Sequence, residues 1–263
     1  MTNATVRILS VGIGQMHIIP GDDELNIHNA IGLVERAGAE GCDIIVLPEC
    51  LDLGWTDLSA TTKAESIPGP RSELLAEAAM ANSIHVVAGL TEKAEGAVYN
   101  TAILLDDGGD LLARHRKINI LDIAQHIYQR GQDIGIVNTQ LGRVGINICA
   151  DLLPEYQDVG FAQAAIGAEI ILSPCSWAVP PDFDQKKTPY GQEWMASYGA
   201  IAAKYSIPVV GVSNTGCVRS GAWSGWQCIG SSLVVHASGK VYQCPYSDTD
   251  HQLYYVQVAI GQD

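Results

Sequence analysis

The run Asp43-Ile44-Ile45-Val46-Leu47 constrains the fold of this chain more than any other stretch. Successive side chains of a strand point to opposite sides, and here neither side is polar once the aspartate is passed. Such a strand is covered on both faces, which requires layers above and below its sheet. Similar apolar runs recur along the chain with helical stretches between them. Residues 6–13 read as a first strand, and Asp22-Asp23-Glu24 offer cap and first-turn acids to a helix running to about residue 39. A second helix is expected over 71–81 and a strand over 84–89. Residues 99–105 and 111–115 read as hairpin strands around Asp106-Asp107-Gly108-Gly109.

The stretch 118–132 reads as a loop with a helical turn. Beyond it the pattern predicts a strand over 144–149, a helix over 161–166, a strand over 170–172 and a helix over 193–205. Further strands are expected at 208–212, 231–235 and 254–258, with Gly108, Gly221, Gly225 and Gly239 marking turns. The sum is an α/β fold with a mixed sheet and helices on its outer faces. It holds more strands than one doubly wound layer accommodates, so two packed sheets are expected.

A chain of 263 residues can bury one large core, and residues 1–263 read as a single domain. The formal net charge of −14 argues against nucleic acid and anionic membranes as partners. No stretch approaches the roughly 18 apolar residues of a membrane span, and Met1 to Arg7 lacks the basic and apolar regions of a signal peptide. Seven cysteines, without a C-x-x-C pair, suit a reduced cytosolic protein and not a zinc ribbon. His85, His126, His236 and His251 show no metal-ligand spacing, and Val11-Gly12-Ile13-Gly14 lacks the third glycine of a nucleotide loop. Neither a metal nor an organic cofactor is expected.

Three apolar runs close on a reactive group: Glu49, Lys117 and Cys149. Pooled at one sheet edge, an acid, an amine and a thiol make a base, an electrostatic clamp and a nucleophile. Free cysteines are most often plain core residues, which is the reading of the other six. Cys149 differs because Ala150, Asp151 and an expected helix start come next in the chain, so exposed backbone N–H groups would face the thiolate. The small Ala150 leaves its own N–H approachable as an oxyanion donor. Lys117 closes the basic island Arg114-His115-Arg116-Lys117, in which Arg114 and His115 read as a solvated strand end. Carried inward, Lys117 would lower the thiol pKa and hold an oxyanion, and a partly desolvated Glu49 would serve as general base. Trp177 reads either as an aromatic wall for an acyl group or as a core residue. Tyr190, Trp194, Trp223 and Trp226 are further rim candidates, with core packing the commoner fate.

Together these segments resemble the carbon-nitrogen hydrolases of the nitrilase superfamily, whose Glu-Lys-Cys triad falls in this order. The matching stretches are Val46-Leu47-Pro48-Glu49, Tyr99-Asn100-Thr101-Ala102, Arg114-His115-Arg116-Lys117 and the run from Gly142 through Cys149-Ala150-Asp151 to Pro154-Glu155. Gly167 to Pro174, Ser213-Asn214-Thr215-Gly216 and Gly230-Ser231-Ser232 with Gly239 fit as well. The resemblance implies a four-layer α-β-β-α sandwich that assembles as a homodimer or larger homo-oligomer. It makes Glu49 the general base and acid, Cys149 the nucleophile, and Lys117 with the Ala150 N–H the oxyanion holders. Ammonia or an amine would leave, and water activated by Glu49 would clear the thioester.

Many relatives place a second glutamate between the lysine and the cysteine. Here no glutamate occurs from Ile118 to Ile148, and Gln125 stands near the expected place. Its neutral amide would accept a hydrogen bond from Lys117 without balancing its charge. The leading expectation is hydrolysis of a small amide in the cytosol, with nitrile and N-carbamoyl cleavage open to the same triad. Gln125 alone recommends the rival, a weak or inactive member that binds a small ligand or a protein. A papain-like pairing of Cys149 with His126 is a third reading.

Overall fold

In the central strands no polar face survives, because both faces are covered: Ile44–Val46 and Ile170–Cys175 are buried at every position. The computed structural model describes residues 6–261. In chain order the strands begin with β1 (Arg7–Gln15), β2 (Ile44–Val46), β3 (His85–Ala94), β4 (Ala97–Leu105) and β5 (Leu111–Arg116). They continue with β6 (Ile136–Thr139), β7 (Gly142–Ile146), β8 (Ile170–Cys175), β9 (Ala178–Val179) and β10 (Val209–Ser213). The last are β11 (Thr215–Cys217), β12 (Gln227–Ile229), β13 (Leu233–Val235), β14 (Val241–Gln243) and β15 (Gln252–Ile260). The helices are α1 (Asp23–Ala39), α2 (Ala60–Lys63), α3 (Pro70–Asn82), α4 (Asp158–Ala165) and α5 (Gln192–Tyr205).

Two six-stranded sheets form, in the orders β15-β1-β2-β3-β4-β5 and β14-β13-β10-β8-β7-β6, with a small sheet β11-β12-β9 beside them. Each large sheet has three parallel strands at its centre, β1-β2-β3 and β7-β8-β10, flanked by antiparallel ones. The pleat of β2 shows how the layers arise. Ile44 and Val46 enter the core between the sheets with Val11, Ile146 and Leu172, while Ile45 faces the other way. There it meets Leu33 and Val34 of α1 and Leu75 of α3. Trp194, Tyr198 and Ile201 of α5 cover the second sheet. The result is the expected four-layer sandwich of two mixed sheets between helices.

Local signals set the element ends. The Asp22 carboxylate accepts from the Leu25 N–H and caps α1, and Pro70 opens α3, where its missing N–H costs nothing. Two features differ from the sequence reading. Strand β7 stops at Ile146, three residues before Cys149, and Cys149 itself opens only a single 3-10 turn, Cys149–Leu152. The turn ends because Leu153 precedes Pro154 and is driven to extended backbone, φ −60° and ψ 149°, so α4 starts only at Asp158.

Gly89 of β3 is required by a close crossing of the chain. A Cβ there would lie 2.6 Å from Glu49 Cα and 2.7 Å from Pro48 O. Gly89→Ala is therefore expected to cost about 1–3 kcal/mol through overpacking and to displace Glu49. Urea unfolding measures the first effect and turnover per folded molecule the second. An unchanged midpoint would show that the 48–49 segment yields without cost.

Candidate active site

Three strand ends converge where the two sheets face each other. The segment after β2 is pinned by Gly89 N–H to Pro48 O (3.0 Å) and Leu51 N–H to Gly89 O (2.9 Å). The Glu49 N–H reaches across to Cys175 O of the second sheet (3.2 Å). Lys117 is the first residue past β5; its N–H donates to Asn100 O and its carbonyl accepts from Gly131 N–H, both at 2.8 Å. That contact needs a glycine, since a Cβ at Gly131 would overlap Arg116 O. The ends of the 118–130 loop are thereby held at the lysine.

Glu49 and Lys117 are both buried and joined directly, Lys117 Nζ to Glu49 Oε1 at 2.5 Å. Asn100 of β4 donates its Nδ2 to the same oxygen at 2.6 Å. Oε1 is therefore occupied twice, while the buried Oε2 accepts from no protein group. Burial opposes the Lys117 ammonium, but the Glu49 carboxylate, by its charge and its hydrogen bond, outweighs it and holds the pKa above the usual lysine range. The amine is a fixed positive charge.

Cys149 opens the 3-10 turn with φ 44°, in the left-handed region that non-glycine residues rarely occupy. Its N–H donates to Ser173 Oγ of β8 at 3.0 Å. Burial pushes the thiol pKa well up, and the neighbouring Cys175 thiol and Glu49 carboxylate add to the rise; Lys117 opposes them without prevailing. The expected net lowering by Lys117 is thus not found, because desolvation is the larger effect. At neutral pH the resting group is a thiol.

Residues 10–262 match the carbon-nitrogen hydrolase family. The chain belongs to that family. Omega-amidase NIT2 of Bos taurus is 30% identical over 159 residues, covering 57% of this chain and 57% of that protein. The matched stretch thus spans little more than half the length of that curated relative. The carbon-nitrogen hydrolase of Helicobacter pylori G27 superposes with a TM-score of 0.81 at 21% identity, over 96% of this chain and 89% of that one. Nit3 of Saccharomyces cerevisiae, a member of branch 10 of the nitrilase superfamily, gives 0.80 at 21% identity over 96% and 90%. These likenesses show the fold.

Within this carbon-nitrogen hydrolase framework the remaining candidates fall in different places. Ala150 is buried directly after Cys149. Trp177 is 1% exposed and stacked on Trp194 at 5.1 Å between ring centroids, and its indole N–H meets no acceptor. Gln125 does not support Lys117: it is exposed, and its amide donates to Ile120 O and to Asp122 Oδ1 at 2.9 Å. The adjacent acid captures the amide, and the buried position in that turn belongs to Ala124. His126 is exposed, which argues against a pairing with the buried Cys149. No group of three or more potential metal ligands occurs among the described residues.

Several residues at the site carried no assigned role in the sequence reading. Asn100 shares the glutamate through its side-chain amide. Trp55 sets its ring 5.8 Å from Lys117 Nζ, and two of the expected rim residues extend it: Trp223 packs edge-on against Trp55 at 5.2 Å, with Trp226 stacked beyond at 4.2 Å. His115, read as solvated, is buried with Nε2 at 2.9 Å from Asp151 Oδ2. Arg114 keeps a half-exposed side chain but pairs with the buried Glu92 at 2.8 Å, as Arg116 does at 2.9 Å.

Proposed function

We propose that the protein hydrolyses the carbon–nitrogen bond of a small, non-peptide amide through a thioester on Cys149. The observation that carries this reading is the divided Glu49 carboxylate: Oε1 is held by Lys117 and Asn100, and Oε2 is free to move protons. Membership of the carbon-nitrogen hydrolase family and the omega-amidase name of a relative support an amide as substrate.

The charges in place dictate the steps. Glu49 Oε2 takes the proton of the Cys149 thiol as the sulfur attacks the amide carbon. The carbonyl oxygen becomes an anion and is met by the Lys117 ammonium and the Ala150 N–H. That N–H lies in the first turn of a 3-10 helix, where donors lack intrahelical acceptors, while the Cys149 N–H is already committed to Ser173. Protonated Glu49 then passes its proton to the nitrogen, the C–N bond breaks, and ammonia or an amine leaves. A water molecule gives a proton to Glu49 and its oxygen to the thioester carbon, and the carboxylic acid departs as the thiol regains its proton. The Trp55–Trp223 pair supplies apolar surface beside Lys117 and suits an uncharged acyl group.

The reading includes a homodimer or larger homo-oligomer in a cytosolic setting. Ile166 is exposed past the end of α4, and Phe161 packs edge-on to Tyr205 of α5 at 5.9 Å, an apolar surface that a second copy would cover. Seven free cysteines suit a reducing compartment.

Ammonia release from a panel of short amides, nitriles and N-carbamoyl amino acids tests the substrate class. Amides are expected to give ammonia and acid in equal amounts, with hydroxylamine diverting the acyl group to a hydroxamate. No turnover of any amide, or no hydroxamate, would overturn the reading.

A further inference from the structure

We infer that Asp151 is a positioning residue whose carboxylate fixes Lys117 relative to Cys149; the inference rests on the triad reading above. Its side chain is fully buried and ties together the chain on either side of both groups. Oδ1 accepts from Ile118 N–H (3.2 Å), Asn119 N–H (2.8 Å) and Asn119 Nδ2 (3.1 Å). Oδ2 accepts from Ile148 N–H (3.1 Å) and His115 Nε2 (2.9 Å). Lys117 is thus bracketed by His115 and Ile118, and Cys149 by Ile148 and Asp151 itself. One carboxylate fastens the end of β5 in the first sheet to the nucleophile turn of the second.

Both oxygens must be acceptors for this to work, and an ionised carboxylate has four lone-pair sites and no proton. Burial pushes the Asp151 carboxyl up, but the hydrogen bond and charge of His115 and the Asn119 N–H outweigh it, so the group stays ionised. With an acid opposite Nε2, that nitrogen is assigned the ring proton. An asparagine at 151 would keep the volume but turn an NH2 toward two or three donors. The clamp would open on one side, and Lys117 and Cys149 would drift apart.

The test is Asp151→Asn in the full chain, read three ways: kcat and KM on the best amide, the thermal midpoint, and the pH profile of Cys149 alkylation by iodoacetamide, followed by peptide mass at that residue. The groups facing the thiol are Glu49, Lys117, Cys175 of β8, Tyr190, Tyr198 of α5 and Asp151 on its own turn. Of these only Lys117 is a cation, so its retreat moves the alkylation midpoint to higher pH, while loss of the Asp151 charge by itself moves it lower. A kcat loss of about 100-fold with KM little changed is expected for a displacement near 1 Å. Lys117→Ala alone moves the midpoint up, and in that background Asp151→Asn moves it down by the lost charge alone; in the wild-type background the same substitution moves it less far down or upward, because Lys117 retreats as well. If Asp151→Asn does not fold, His115→Phe removes one clamp donor with the Asp151 charge in place and moves the midpoint up, and His115→Gln, which restores a donor, recovers part of the lost turnover. An Asp151→Asn shift of the same size in the wild-type and Lys117→Ala backgrounds would overturn the inference and leave Asp151 a stability residue. The alkylation profile needs no turnover, so it decides the clamp even if the amide reading fails.

Discussion

Replacing Cys149 with alanine is expected to abolish amide turnover while leaving the protein folded. The substitution removes one buried sulfur and costs about 1 kcal/mol, as for a single buried methyl-sized group. Backbone demands are unchanged, because alanine bears the same Cβ at φ 44° and the N–H still reaches Ser173 Oγ. Chemistry has no substitute. Cys175 is buried behind the turn with its Sγ directed to Ser173 O at 3.2 Å, and Cys50 directs its thiol to Tyr128 OH at 3.6 Å. Loss of a covalent nucleophile lowers kcat by at least about ten-thousand-fold where binding and oxyanion donors remain. Ammonia release and the unfolding midpoint are the two measurements. A Cys149→Ala protein with turnover within about ten-fold of wild type would remove Cys149 from the mechanism.

The meeting of Glu49, Lys117 and Cys149 was legible in the sequence because each ends an apolar run, and a buried run that closes on a charge or thiol must account for it. Most of the two sheets was legible for the same reason, since β2, β8 and β10 are apolar on both faces. The edge strands β6 and β14 were not. They are three or four residues long, half exposed and carry Asn138, Thr139 and Gln243, so nothing sets them apart from loop. His115 was misread through its company. Two arginines flank it, yet alternate residues of β5 face opposite ways: Arg114 and Arg116 turn to Glu92, and His115 turns inward to Asp151. That period of two was available and would have separated them. Gln125 shows the opposite limit, since a position near the expected one in sequence says nothing of which neighbour its amide bonds. Asn100 stood in a recognised segment without a role, because its task depends on Glu49, 51 residues away in the chain.

Lys117→Ala should lower turnover and stability together, and the two must be read apart. Lys117 is the charged partner of a buried carboxylate, and removing one member of such a pair costs about 3–5 kcal/mol because the other is left uncompensated. Asn100 remains on Glu49 Oε1 as a neutral donor and offsets part of that loss. Against a typical stability of about 5–15 kcal/mol, a folded population is expected to remain. Lys117→Met fills more of the vacated space and gives a second folded variant if alanine does not. Per folded molecule, loss of an oxyanion donor costs about 100- to 1000-fold in kcat. The fixed charge also makes a pH argument: because the Lys117 pKa lies above the usual lysine range, it contributes no limb to the wild-type profile at neutral pH. The loss in Lys117→Ala is therefore expected to be uniform across that range, unlike the loss of a titrating base. A change of only about two-fold per folded molecule, far below the loss of an oxyanion donor, would show that the ammonium serves Glu49 alone and that the oxyanion is held by the Ala150 N–H.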